Sequence, residues 1–189
     1  MLTNLYLVRH AHSIYTPDEW KRPLSTRGFR DARHVTKLLQ YQKMDHIISS
    51  PYQRAIQTVQ GVADYYDKRI EIINEFKERR LAENAVTDFQ AAITKLWNDW
   101  QFSWEGGESN AFAQQRSIRA TYDILEKYSG KNIVIETHGN IMVLIMNYFD
   151  PRYDYFFWES LKMPDVYRLT FNGIHFMGAN HIVESEDKK

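Results

Sequence analysis

The chain has 189 residues, 43% hydrophobic, with 24 basic side chains against 24 acidic ones. That length predicts one compact domain over residues 1–189, and the balanced charge argues against a nucleic-acid coat or an anionic-membrane binder, both of which want a basic excess. The absence of cysteine removes disulfides, thiolate catalysis and Cys-type zinc sites, and no stretch reads as a signal or membrane-spanning segment, so a soluble cytoplasmic protein is expected.

Leu5-Tyr6-Leu7-Val8, bounded by Asn4 and Arg9, reads as a short buried strand. A polar loop with Pro17 and Pro23 follows. Ser25 is a candidate N-cap for a helix carrying Ala32, Val35, Leu38 and Leu39 at helical spacing. His46 to Ser49 is a second strand, after which Pro51 can start a helix with Ala55, Val59, Val62, Ala63 and Tyr66 on one face. Ile70 to Ile73 is a third strand. Val86, Phe89, Ile93, Leu96, Trp97 and Trp100 keep helical spacing, which predicts a helical insertion over about residues 82–108. Gly106-Gly107 breaks the chain, and Ser109 can cap a helix bearing Phe112, Ile118, Tyr122 and Leu125. Ile133-Val134-Ile135 is a strand, and Ile141, Leu144, Ile145 and Tyr148 form a helical face behind it. Val166–Phe171 and Ile174–Gly178 flank Asn172-Gly173, a strong hairpin signal. Asp187-Lys188-Lys189 reads as a frayed tail. Strands alternating with helices predict an α/β fold, a three-layer α/β/α sandwich whose mostly parallel sheet is made mixed by the final hairpin.

In open α/β sheets ligands collect beyond the carboxyl ends of the strands. Arg9-His10-Ala11-His12 follows the first strand. Ser49-Ser50-Pro51 and Arg54 follow the second, and Glu75, Glu78, Arg79 and Arg80 the third. Thr137-His138-Gly139-Asn140 follows the strand at Ile133. Two histidines, several arginines and two candidate acids therefore share one sheet edge. Guanidinium groups there point to an anion, because their fork matches phosphate oxygens, and helix N-termini near Pro51 and Asn140 add free N–H groups.

With these residues in view the chain resembles the histidine phosphatase superfamily, the phosphoglycerate-mutase-like group. The resemblance runs through Leu7-Val8-Arg9-His10, Leu24-Ser25-Thr26-Arg27-Gly28, Ser49 to Thr58, Glu78-Arg79, Gly106-Gly107-Glu108-Ser109 and Thr137-His138-Gly139. These blocks stand in the family's order between residue 5 and about residue 145. The resemblance implies that His10 attacks phosphorus and carries the phosphoryl group, and that Arg9, Arg54 and His138 hold the phosphate oxygens. It implies a small phosphorylated substrate, with no cofactor and no metal. Glu78 is the chosen proton donor; Glu75, in an L-x-E-like setting with Ile73, is the competitor. Ala11 stands where the family usually has glycine, and His12 where it often has glutamate or glutamine. The role of His12, substrate contact or loop cap, stays open.

Other charged and aromatic groups have plainer readings. Arg79 and Arg80 are expected on a solvated face, Lys21 and Arg22 as loop charges, and Gly107 and Ser109 as turn and cap. Trp97, Trp100, Phe102 and Trp104 are expected as core beneath the insertion. Tyr153, Tyr155, Phe156, Phe157 and Trp158 either pack the last helix or make a homodimer contact. Three other functions compete with the phosphatase: a phosphoglycerate-type mutase, a metallohydrolase built on His10-Ala11-His12, and a non-catalytic phospholigand-binding module.

Overall fold

A computed structural model describes residues 1–84 and 86–184; the tail at 187–189 lies outside it. The elements are β1 (Leu2–Arg9), α1 (Thr26–Leu39), β2 (His46–Ser49), α2 (Gln53–Tyr65), β3 (Ile70–Ile72), α3 (Phe89–Asn98), α4 (Asn110–Lys127), β4 (Asn132–Thr137), α5 (Gly139–Phe149), α6 (Tyr155–Ser160), β5 (Asp165–Asn172) and β6 (His175–His181). One six-stranded sheet has the order β3-β2-β4-β1-β5-β6. β3, β2, β4 and β1 run parallel, and β5 and β6 are antiparallel additions. The sheet is thus mixed.

Side chains alternate across a strand with period two, so each strand feeds two cores. Leu5, Leu7, Ile133 and Ile135 pack with α3, α4 and α5 on one face. Tyr6, Val8, Ile47 and Val134 pack with α1 and α2 on the other. The result is helix, sheet, helix. Each fully buried Leu or Ile contributes about 1.5–3 kcal/mol of transfer free energy, which is what holds the layers together.

Local signals explain most helix starts. The Ser25 hydroxyl accepts from the Gly28 N–H at 3.0 Å, and the Ser109 hydroxyl accepts from the Phe112 N–H at 3.1 Å. Other boundaries moved. α2 begins at Gln53 rather than at Pro51, because Pro51 and Tyr52 are spent on the bend leaving β2. Val86 and Trp100 fall outside α3, which Asp88 caps by accepting from the Ala91 N–H. α5 is buried all round from Gly139 to Met146, not on one stripe, because the sheet covers one side and α4 and α6 the other. Tyr148, placed on its buried face by the spacing, is exposed. Of the aromatic run, Tyr153, Tyr155, Phe157 and Trp158 pack against the larger core, and Phe156 projects outward. Trp97 is core. Phe102 and Trp104 instead form a half-buried edge-on pair, with the Lys95 ammonium against both rings. No helix among the described residues is long and apolar enough to cross a membrane.

Candidate active site

Register decides which loop residues meet. β1 and β4 pair in parallel with Arg9 opposite Thr137, and the His10 N–H donates to the Thr137 carbonyl at 3.1 Å. The next residues, His10 and His138, therefore leave neighbouring strands at one level, with ring centroids 5.1 Å apart. β2 lies on the other side of β4, with Ser49 opposite Glu136. That register sets the Ser50 hydroxyl 2.7 Å from His138 Nε2 and carries Arg54 into the first turn of α2, nearly fully buried. Tyr52 links the parts. Its ring lies 4.9 Å from that of His138, and the Arg54 guanidinium lies 4.6 Å from the Tyr52 ring centre.

His10 Nδ1 lies 2.8 Å from the Ala11 carbonyl oxygen. A carbonyl only accepts, so Nδ1 carries the proton and the neutral ring keeps its lone pair on Nε2. Burial, then the Arg54 guanidinium, push the His10 imidazole down to about 3; Arg9 and Arg22 act in the same direction. Burial, with His10 and Arg54 next, holds His138 well below the ordinary histidine range. Both rings are thus neutral at neutral pH. Ala11 does not have positive φ, so its methyl group costs no backbone strain, and its N–H donates to Thr58 Oγ1 at 3.0 Å. The Thr58 hydroxyl in turn donates to the Arg54 carbonyl at 2.7 Å, tying the loop after His10 to α2.

Arg9 donates from Nη1 to the Leu161 carbonyl at 2.7 Å, and its guanidinium lies against Gly139, where a Cβ would come within 3.1 Å of it. Arg54 pairs with Glu19 at 3.0 Å. Several buried polar atoms in this cluster have no protein partner: the donors Arg9 Nε and Arg54 Nε, and the ring nitrogen His138 Nδ1. A buried donor left unpaired costs about 1–3 kcal/mol, more when charged. Their convergence suits an anion.

Glu78 and Glu75 part company. One Glu78 carboxylate oxygen accepts from the Asn140 N–H at 3.2 Å, at the start of α5 beside His138, and the other accepts from the Arg79 N–H at 2.8 Å. The Thr137 hydroxyl donates to the Phe76 carbonyl at 2.8 Å, which fastens the Glu78 segment to the end of β4. Glu75 is exposed and lines a groove of about 700 Å³ with Glu71, Arg116 and Arg119, away from both histidines. The structure therefore brings Arg9, His10, Arg54, Glu78 and His138 together and leaves Glu75 outside. His12 turns aside as well, with Nδ1 2.8 Å from the Ser25 hydroxyl, which is the loop-cap alternative. Among the described residues no three His, Asp or Glu side chains group as metal ligands would.

Sequence and shape agree with this geometry. The family model of the histidine phosphatase superfamily, branch 1, matches residues 5–176. The chain belongs to that superfamily. No curated protein matches it by sequence, but solved histidine phosphatase-like structures superpose along almost its whole length. Mycobacterial glucosyl-3-phosphoglycerate phosphatase is similar with a TM-score of 0.78 at 16% identity, covering 97% of this chain and 98% of that one. Phosphoserine phosphatase from Entamoeba histolytica has a TM-score of 0.78 at 20% identity, with 95% and 96% covered. Bacillus stearothermophilus YhfR has 0.75 at 23% identity, with 93% and 94% covered. At these identities the likeness speaks for the fold.

Some residues around this cluster carry no clear signal in the sequence. Arg79, expected in solvent, is buried, and its Nε and Nη1 have no partner. Its setting is tertiary: the turn at Glu105–Glu108 docks onto residues 80–83, with the Glu83 N–H donating to the Glu105 carbonyl and the Glu108 N–H to the Arg80 carbonyl, both at 2.8 Å. Arg80 is exposed as expected. Glu136 is fully buried, with the Ser49 hydroxyl 3.4 Å from one oxygen and nothing on the other. Burial holds its carboxyl well above the usual range. A carboxylate sharing the strand face of Val134 was the signal for it. Glu19 and Trp20, which cover Arg54 and Tyr52, come from an irregular loop that carries no such signal.

Proposed function

We propose that this histidine phosphatase-superfamily phosphomonoesterase hydrolyses small phosphate monoesters through a phosphohistidine on His10, with Glu78 as proton donor. The observation that carries the reading is the Nδ1 bond of His10 to a carbonyl, which leaves Nε2 as a lone pair amid buried, partner-seeking cationic and N–H donors. His10 Nε2 attacks phosphorus, the P–O bond to the leaving group breaks, and the leaving oxygen takes its proton from Glu78. Fixed charges at Arg9 and Arg54 and the N–H of His138 face the equatorial oxygens, where negative charge spreads in the transition state. Dividing the displacement over two steps makes each one easier. Water then attacks the phosphohistidine, its proton passing to the Glu78 carboxylate, and inorganic phosphate leaves.

Leaving-group dependence tests the acid, and trapping tests the nucleophile. Glu78→Gln should slow glycerol phosphate hydrolysis by about 10²-fold or more while slowing p-nitrophenyl phosphate far less, since nitrophenolate scarcely needs a proton. Rapid denaturation in base during turnover should capture an acid-labile phosphoenzyme that His10→Ala cannot form. Wild-type turnover in His10→Ala would end the proposal.

A further inference from the structure

The Gly106-Gly107-Glu108-Ser109 block has more to do than turn the chain. Arg116, on the second turn of α4, faces back toward it. Its Nε and Nη2 each donate to one Glu108 carboxylate oxygen at 2.8 Å. The same guanidinium donates from Nη2 to the Lys77 carbonyl at 3.0 Å and from Nη1 to the Glu75 carbonyl. Both side chains of the pair are largely buried, 12% and 16% exposed. Arg116 therefore uses four N–H groups on two segments, the Glu108 turn and the stretch leading into Glu78. With its fork occupied in this way it is not a substrate ligand. Gly107 makes the approach feasible: a Cβ there would lie 2.2 Å from the Leu81 carbonyl oxygen, so a side chain would push the Glu108 turn off residues 80–83.

We propose that Arg116 is a positioning residue which, clamped by Glu108, holds the stretch before Glu78 by the Glu75 and Lys77 carbonyls and so sets where the Glu78 carboxyl meets the leaving oxygen. This rests on the reading of Glu78 as proton donor. Glu78 sits one residue beyond the Lys77 carbonyl that Arg116 grips, on a stretch with only a single 3-10 turn to stiffen it. Beyond the clamp, the Thr137 hydroxyl on Phe76 and the two N–H groups on the carboxylate are what orient it. A planar guanidinium can make all four of these bonds from one fixed fork, and an ammonium, with three N–H groups on a flexible stem, cannot.

The test uses a ratio that partial unfolding does not move: kcat/KM for glycerol phosphate divided by kcat/KM for p-nitrophenyl phosphate, measured on one preparation. Arg116→Lys and Glu108→Gln should each lower that ratio about tenfold, because displacement of a reacting group by a fraction of an ångström costs rate where proton transfer matters. In a Glu78→Gln background the added Arg116→Lys change should leave the ratio where Glu78→Gln alone put it, the mark of two residues acting through one group. A wild-type ratio in both single variants, with Glu78→Gln selective, overturns the clamp alone. An unselective Glu78→Gln overturns the proton-donor reading and the clamp together.

Discussion

Gly139→Ala offers a measurement of how closely the Arg9 guanidinium must be held. Residue 139 opens α5, and an ideal Cβ there lies 3.1 Å from Arg9 Cζ and Nε and 3.2 Å from Nη2, where ordinary contact is 3.4–4 Å. The guanidinium must retreat by roughly 0.5 Å, half of the ~1 Å misplacement that costs about 10²-fold in rate. It cannot retreat freely, because the Leu161 and Lys162 carbonyls hold Nη1 at 2.7 and 3.3 Å. The expected loss in kcat/KM is therefore about tenfold, or about 1.4 kcal/mol of transition-state binding. Stability should change little. Alanine restricts the unfolded chain and gains about 0.4–1 kcal/mol, while overpacking costs about 1–3 kcal/mol. The net is about 1 kcal/mol, or a melting shift of about 2–4 °C for a chain of this size. Steady-state turnover of p-nitrophenyl phosphate and a thermal melt on the same sample read both quantities. In an Arg9→Met background the Gly139→Ala step should cost no further activity. Undiminished kcat/KM in the single variant, or an equal further loss without Arg9, would refute the placement of that guanidinium against Gly139 as what matters.

Stability against pH should report three buried groups. His10 and His138, held neutral mainly by burial, bind fewer protons folded than unfolded, so their contribution is present above about pH 6.5 and is lost as pH falls below it. Glu136, held protonated by burial, works oppositely, since its contribution is complete below about pH 4.5 and fades as pH rises. Between pH 5 and 6 the wild type should thus lose stability on acidification, and Glu136→Gln should lose it more steeply. Urea midpoints at the two pH values decide it; an unchanged slope in Glu136→Gln means that the carboxyl is ionised in the fold. Thr58→Val removes the acceptor of the buried Ala11 N–H and the donor to the Arg54 carbonyl. It should cost about 2 kcal/mol, or about 4–8 °C in melting temperature, and a wild-type melt would show that the loop after His10 is held by something else.

Much of the layout was readable because it depends on neighbours in the chain. Apolar runs of three or four residues marked β1, β2 and β4, and helical spacing with Ser25 and Ser109 marked α1 and α4. The rule that ligands gather at carboxyl ends of parallel strands then places Arg9, His10, Arg54 and His138 at one sheet edge. Boundaries were less legible. Local preference makes Pro51 a helix start, but the chain uses that residue to leave the sheet and α2 begins at Gln53.

What the sequence by itself determined is the alternation of strands and helices and the set of residues delivered to one sheet edge, since periodicity and strand order of that kind are local and additive. Only the tertiary structure decided among acids and arginines that look alike in one dimension. Glu78 and Glu75 are three residues apart, yet the first reaches the N-terminus of α5 and the second an outer groove. Arg79 and Arg80 are adjacent, yet the first is buried and the second exposed where the Glu105–Glu108 turn docks on the chain. Such outcomes depend on register between strands and on loops that meet from distant parts of the chain, and neither leaves a repeat in the order of residues.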